Sequence, residues 1–144
     1  MRQLTGDGFN GRDYVEISKE EVFNNVTLSA GPGTEVVSAQ ELFIDTQLEP
    51  TLIIQWTPAG SVNFDIYLRV MDVSGSTGVR LVDVECATTL TSASLTDIGL
   101  IVSLREEGSS VDYIYGFCSI VIKNNDVNAL AGITAKVIQK AEKV

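Results

Sequence analysis

The sequence contains no histidine, and its two cysteines, Cys86 and Cys118, do not form a CxxC pair. Histidine is the usual base of serine and cysteine nucleophile triads and the commonest transition-metal ligand. A structural zinc site would also lack ligands, because two separated cysteines do not supply four. The sequence has no GxxxxGK[ST] phosphate loop. We therefore predict no catalytic residue, no metal and no cofactor.

Basic residues are few, with ten Lys and Arg against nineteen Asp and Glu and a net charge of −9. Nucleic-acid binding through phosphates needs clustered cations that release counterions, so we predict no nucleic-acid partner. Residues 123–144 carry four of the lysines and a net charge of +2, which leaves −11 for residues 1–122. This segment either docks on an acidic neighbour or is a solvated strand edge on which lysine resists aggregation.

Long apolar runs are also missing, since no stretch approaches the roughly 18 residues of a membrane-spanning helix. The opening residues, MRQLTGDGFNGRDY, lack the apolar core of a secretory signal. We therefore predict no membrane partner and synthesis in a cytoplasm. Both cysteines lie in apolar stretches, VDVECA and YGFCSIV, and are expected to be buried thiols. A disulfide between neighbouring strands is the alternative.

The composition of the chain fits one self-sufficient domain, with 144 residues, 44% of them hydrophobic and 20% charged. Residues 1–12 contain Gly6, Gly8 and Gly11 and show little apolar periodicity. We predict a flexible N-terminal arm over residues 1–12. A single β-sandwich domain is expected over residues 13–144.

Alternation of apolar and polar residues is the main pattern of the body, and it is clearest in VNFDIYLRVM (62–71). A Ser/Gly-rich turn and VRLVDVEC follow, so residues 62–86 are predicted to form a hairpin. Residues 98–105 and 111–123 are expected to form a second hairpin, with EEGSS between its strands. Further strands are predicted at 13–17, 22–30, 35–45, 51–57 and 129–139. TLIIQWT (51–57) lies between two prolines, and its Trp56 is expected in the core or at its rim.

Two segments leave alternatives open. Residues 87–97 are rich in Ser and Thr and form either an edge strand or an exposed loop. The final segment fits both a strand and an amphipathic helix, and we favour a strand because Gly132, Ile133 and Thr134 begin a helix poorly. Many short strands without a long helix predict an all-β fold, an antiparallel β-sandwich or jelly roll.

Acidic and aromatic side chains offer two candidate sites. The acids on or near predicted strands could act as a catalytic pair in glycoside hydrolysis. Carboxylates at alternating strand positions are, however, more typical of the solvent-exposed face of a sheet. These acids are Asp65, Asp83, Glu85, Glu106 and Glu107. Four aromatic residues, Trp56, Tyr67, Tyr113 and Tyr115, could stack on a sugar if they shared one exposed face. A pair of tyrosines at the edge of the core is the plainer interpretation of Tyr113 and Tyr115.

Three segments of the sequence resemble the small all-β auxiliary virion proteins of tailed bacteriophages, which decorate or cement capsids or serve at head and tail junctions. These segments are NNVTLSAGPGTEVVSAQELFID, VNFDIYLRVMDVSGSTGV and VDYIYGFCSIVIKNNDVNALAGITAKVI. The resemblance implies a structural role without catalysis or cofactor, with many copies bound to a protein lattice.

From the residues and the resemblance together, we predict a capsid decoration, cement or capsid-associated protein, made in a host cytoplasm and located in the virion. The expected partners are a capsid or other virion protein and further copies of the chain, contacted through the arm and edge strands by β-augmentation. The interface candidates are Arg2, Phe9, Arg12, Lys136, Lys140 and Lys143. The alternative function is a carbohydrate-binding β-sandwich module of a receptor-binding or appendage protein.

Overall fold

A computed structural model describes residues 15–39, 41–57, 61–71, 80–92, 99–107 and 114–142. These residues contain nine strands and one three-residue 3-10 helix, Thr46–Leu48. The strands are β1 (Val15–Leu28), β2 (Glu35–Val37), β3 (Leu42–Asp45), β4 (Thr51–Gln55), β5 (Asn63–Met71), β6 (Arg80–Thr91), β7 (Gly99–Ser103), β8 (Tyr115–Asn124) and β9 (Leu130–Glu142). No helix in the described part of the chain is long and apolar enough to cross a membrane.

The strands form two antiparallel sheets. The first sheet has the order β1-β9-β4-β7, and the second has the order β2-β8-β5-β6, with β3 also paired to β8. Every described pair is antiparallel. The two sheets pack face to face as a β-sandwich, which confirms the predicted fold class.

The core lies between the sheets and is built from the inward-facing positions of each strand. In β5 the alternation places Phe64, Ile66 and Leu68 inside, fully buried. Trp56, which directly follows β4, is only 3% exposed. Its ring meets the ring of Phe64 edge to face, with 5.7 Å between centroids. The prediction of a core position for this tryptophan is confirmed.

The predicted second hairpin is wrong. Strand β7 pairs with β4 in the first sheet, whereas β8 pairs with β5 in the second. Strand β8 is buried along almost its whole length, because it has β5 on one side and both β2 and β3 on the other. Strand β7 alternates between buried Val102 and exposed Ile101, as expected for a half-buried edge strand.

Several element boundaries also differ from the predictions. Residues 15–17 of the first predicted segment and residues 22–28 of the second lie in one strand, β1, with Asn25 at a positive φ of 53° inside it. The predicted strand 35–45 divides into β2 and β3, which both pair with β8. Strand β6 continues through Thr91, so the first part of segment 87–97 is an edge strand. The predicted hairpin of β5 with β6 and the final strand, β9, are confirmed.

The turn after β1 is held to the end of β8 by the buried side chain of Asn124. Its Nδ2 atom donates to the carbonyl oxygens of Ser29 and Asn128, both over 2.8 Å. Its Oδ1 atom accepts from the backbone N–H of Asp126 over 2.7 Å. One fully buried amide thereby connects the turn after β1 with the turn that leads into β9.

Both cysteines are buried free thiols, as predicted. Cys86 lies on β6 and Cys118 on β8, with β5 between these two strands. Strands two positions apart are separated by about 9.6 Å, which exceeds the reach of a disulfide. The alternative of a disulfide between neighbouring strands is therefore wrong.

Candidate functional site

Two of the six predicted interface residues lie in the described part of the chain. Lys136 and Lys140 project from the same face of β9, and both are exposed. The Lys140 ammonium forms an ion pair with Glu49, with 2.7 Å between Nζ and Oε1, and it lowers the pKa of that carboxyl. Lys136 lies opposite Glu21 of β1 in the strand register. The other four candidates, Arg2, Phe9, Arg12 and Lys143, lie outside the described residues.

Strands β1 and β9 extend beyond the rest of the first sheet as a two-stranded ribbon, residues 15–18 and 139–142. Strand β4 pairs with β9 only from Thr134 to Ile138. The pairing of β9 with β1 continues to Val15 and Glu142. The start of β1 therefore lies beyond the end of β4 and pairs there with β9.

The outer face of the first sheet carries a row of isoleucines, which we call the isoleucine face: Ile53, Ile101 and Ile138. Ile53 and Ile101 are direct cross-strand neighbours on β4 and β7. Ile101 is 71% exposed, and Lys136 lies beside Ile53 in the register. An apolar row bordered by lysine suits contact with another protein surface.

The outer face of the second sheet carries an aromatic patch: Phe43, Tyr115 and Phe117. The ring of Phe43 meets that of Tyr115 edge to face at 4.9 Å between centroids, and that of Phe117 at 5.6 Å. Phe43 is 43% exposed and Tyr115 is 62% exposed. Phe43 and Phe117 are not among the residues predicted from the sequence. The spacing of two residues between Tyr115 and Phe117 does indicate that their side chains share one face of β8.

The predicted sugar-stacking platform does not form among the described residues. Trp56 is inside the core, and Tyr67 lies on the outer face of the second sheet. The Tyr67 hydroxyl donates to Glu85 over 3.5 Å, and burial together with Asp65 and Glu85 raises the pKa of this phenol. Tyr113 lies outside the described residues. Trp56 packs inward because it follows the buried positions Leu52 and Ile54 at the same period of two.

Three of the predicted acids, Asp65, Asp83 and Glu85, bind protein groups, and the other two, Glu106 and Glu107, lie at a groove described below. Asp83 accepts two hydrogen bonds from Arg69, at 2.9 and 3.1 Å, and the same guanidinium reaches Glu35 at 3.1 Å. These carboxylates raise the pKa of Arg69. Asp65 accepts from the backbone N–H of Thr89 over 2.9 Å. Within the described ranges, no group of three or more Cys, Asp or Glu residues is placed to hold a metal ion.

Among the described strands, no strand covers the side of the sandwich where β6 ends the second sheet and β7 ends the first. Between them lies a groove of about 590 Å³, which we call the open seam. Its floor is apolar and its rim is charged. The floor is formed by Cys86, Ala87, Leu90, Leu100 and Val102, and the rim carries Arg105, Glu106 and Glu107.

One end of the open seam is closed by the turn after β7. The backbone N–H of Glu107 donates to the carbonyl oxygen of Glu85 over 2.7 Å. The carboxylate of Glu107 accepts from the hydroxyl of Thr88 over 2.7 Å. Burial raises the pKa of the Cys86 thiol to about 12, so at neutral pH this thiol is a neutral apolar surface. The open seam can therefore bind apolar side chains but does not present a nucleophile.

No protein-family model and no curated protein matches the sequence. Solved structures with weak similarity include a chain of the disulfide-linked pili formed by Bacillus endospore appendages, with 12% identity and a TM-score of 0.32 over 99% of this chain and 100% of that one. They also include the VP2 subviral particle of infectious bursal disease virus, with 10% identity and a TM-score of 0.34 over 98% of this chain. The T13 particle of that virus gives 9% identity and a TM-score of 0.34. This chain covers 46% and 44% of the two viral chains, about half of their length. None of these named structures comes from a tailed bacteriophage, so that resemblance stays a prediction.

Proposed function

We propose that this protein is a non-catalytic structural subunit of a virion, a decoration, cement or other capsid-associated protein that stabilises an assembly through protein–protein contacts. The observation that carries the proposal is the exposure of large apolar side chains on both outer faces of one sandwich. Ile101 is exposed on the first sheet, and Phe43 and Tyr115 are exposed on the second. A subunit with an apolar surface on each side can contact a neighbour on each side.

The charge of the chain supports the same conclusion. A single exposed apolar residue is ordinary, but a contiguous apolar patch marks an interaction surface. The net charge of −9 makes copies repel one another at long range, so association has to come from short-range apolar contacts and the few lysines. Lys136 borders the isoleucine face and adds a local positive charge to an acidic body. The proposed partners are a capsid or other virion protein and further copies of this chain.

The size of the full chain in solution tests this proposal. We expect sedimentation velocity to show species larger than the 15.5 kDa monomer, with a proportion that rises with protein concentration. Ile101→Lys should shift this distribution toward the monomer. Val127→Lys is the matched control, because Val127 is 72% exposed, almost as much as Ile101, but lies in a turn away from the sheet faces. A chain that remains monomeric at every concentration contradicts the proposal.

A glycan array separates this function from the alternative carbohydrate-binding module. Sugar binding by stacking requires an aromatic ring with one face open to the ligand. Tyr115 is exposed, but in the described residues it packs against the edge of Phe43 and not beside a second parallel ring. The structural proposal predicts no glycan affinity at millimolar ligand.

A further inference from the structure

We infer that the open seam of one copy binds residues 1–14 of a second copy as an extended segment beside β7. This inference rests on the proposed function, because it names the contact by which copies of the subunit associate. It also assigns a role to the arm residues Arg2, Phe9 and Arg12, which were predicted from the sequence as interface candidates.

The open seam has the features of a site that accepts a strand. Strand β7 pairs with β4 along one edge, and its other edge has no strand partner among the strands that the structure describes. An unpaired edge presents N–H and C=O groups to an added strand, and alternate side chains of that strand then point into the groove. Leu90 and Leu100 are only half-buried on the groove floor, so an apolar side chain placed there would remove them from water.

Residues 1–14 have the chemistry that this groove requires. Phe9 is a large apolar side chain for the floor, and Arg2 and Arg12 can pair with Glu106 and Glu107 at the rim. Residues 1–14 have a net charge of zero, since Arg2 and Arg12 balance Asp7 and Asp13, while residues 15–144 have −9. The segment before β1 is therefore not repelled by the acidic body at long range, and its two arginines can pair with the carboxylates of the rim.

The topology places donor and acceptor on opposite sides of the molecule. In the first sheet, β1 and β7 are the two edge strands, separated by β9 and β4 and by about 14 Å. At Val15, β1 lies beyond the end of β4 and on the sheet edge opposite β7. Binding in the open seam of the same copy would require residues 1–14 to cross the full width of the first sheet. Binding between copies repeats a head-to-tail contact, which generates a ring or an open filament.

Mixed cross-linking of full chains tests the inference. One chain carries Asn10→Cys, which leaves Phe9 in place, and the other carries Ser103→Cys, at an exposed position at the mouth of the open seam. After mild oxidation we expect a disulfide-linked dimer with one chain of each kind. The matched control replaces Ser103→Cys by Thr27→Cys, which is exposed on β1 at the opposite edge and should give at least tenfold less cross-linked dimer. The native thiols Cys86 and Cys118 react slowly, because burial raises the pKa of each to about 12.

Peptide competition provides a second measurement on the unmodified protein. A synthetic peptide of residues 1–14 in excess should dissociate the assembled full chain, whereas the same peptide with Phe9→Ser should not. Equal cross-linking to both cysteine positions, or an assembly that resists the peptide, overturns the inference and leaves the proposed function standing. A cross-link within one chain that carries both Asn10→Cys and Ser103→Cys at high dilution also overturns it. A chain that never assembles contradicts the proposed function itself.

Discussion

The side-chain amide of Gln139 donates a hydrogen bond to the carbonyl oxygen of Phe43 over 2.9 Å, from a strand of one sheet to a strand of the other. The oxygen of the same amide accepts from the backbone N–H of Asp45 over 3.0 Å. Gln139 thus supplies the donor and the acceptor that a neighbouring strand would supply to β3. The edge of β3 beneath the aromatic patch is closed by this side chain, whereas the outer edge of β7 is not closed in this way by any described strand.

Replacing Gln139 should weaken the fold. Gln139→Leu removes both hydrogen bonds and is expected to lower the free energy of unfolding by about 1–3 kcal/mol. Gln139→Glu keeps the acceptor for Asp45 but loses the donor to Phe43, so its effect should be intermediate. Urea unfolding measures the difference, and Lys136→Ala, an exposed change on the same strand, is the control. A Gln139→Leu variant as stable as the control would show that this amide does not hold the edge.

Arg69→Lys should also destabilise the protein, although it keeps the charge. The guanidinium of Arg69 binds both oxygens of Asp83 and one oxygen of Glu35, and its side chain is only 15% exposed. A lysine ammonium cannot form the planar set of hydrogen bonds by which the guanidinium binds two carboxylates at once. We therefore expect the free energy of unfolding to fall by about 1–2 kcal/mol. The reverse exchange, Lys123→Arg on the neighbouring strand β8, is the control and should change stability by less than about 0.5 kcal/mol. Equal stability of the two variants in urea would contradict this role of the guanidinium.

Stability should fall at alkaline pH because of the two buried thiols. Burial raises the pKa of Cys86 and of Cys118 to about 12 in the folded protein, whereas an exposed thiol titrates near about 8.5. Between these values the unfolded chain loses protons that the folded chain keeps, so rising pH favours unfolding. The loss approaches about 1.4 kcal/mol per pH unit for each thiol, as an upper limit.

Urea unfolding between about pH 8 and pH 11 measures this slope. Tyrosines and lysines titrate in the same range, so the wild type is compared with the Cys86→Ala/Cys118→Ala variant. The variant should show a shallower decline in stability with pH. Identical slopes would show that the thiols do not cause the decline.

The strands could be predicted from the sequence because a period of two is a local property of the chain. The alternation of Phe64, Ile66 and Leu68 with polar residues predicts that these three side chains lie on one face, whichever strands are the neighbours. Which strands become neighbours is not a local property. The segments of β7 and β8 follow one another and have a polar connection, as in a hairpin, yet they belong to different sheets. Strand β8 needs two neighbours to cover its continuous apolar length, and that requirement depends on the whole second sheet.

The candidate surfaces also divide into features that a local pattern predicts and features that depend on which strands are neighbours. The exposure of Lys136 and Lys140 could be predicted from alternation along β9. The aromatic patch joins Phe43 of β3 to Tyr115 and Phe117 of β8, far apart in sequence, and the open seam joins the last strands of two sheets. The aromatic patch forms only when β3 pairs with β8, and the open seam forms only when the two sheets pack, so neither surface can be predicted in full from one stretch of the sequence.

The pairing of Val15 with Glu142 has a consequence for synthesis. The ladder partner of β1, β9, is translated more than a hundred residues after β1. Contacts of such high sequence separation slow folding, because a long loop must close before they form. During translation, the nascent chain therefore exposes β1 on the ribosome without its partner.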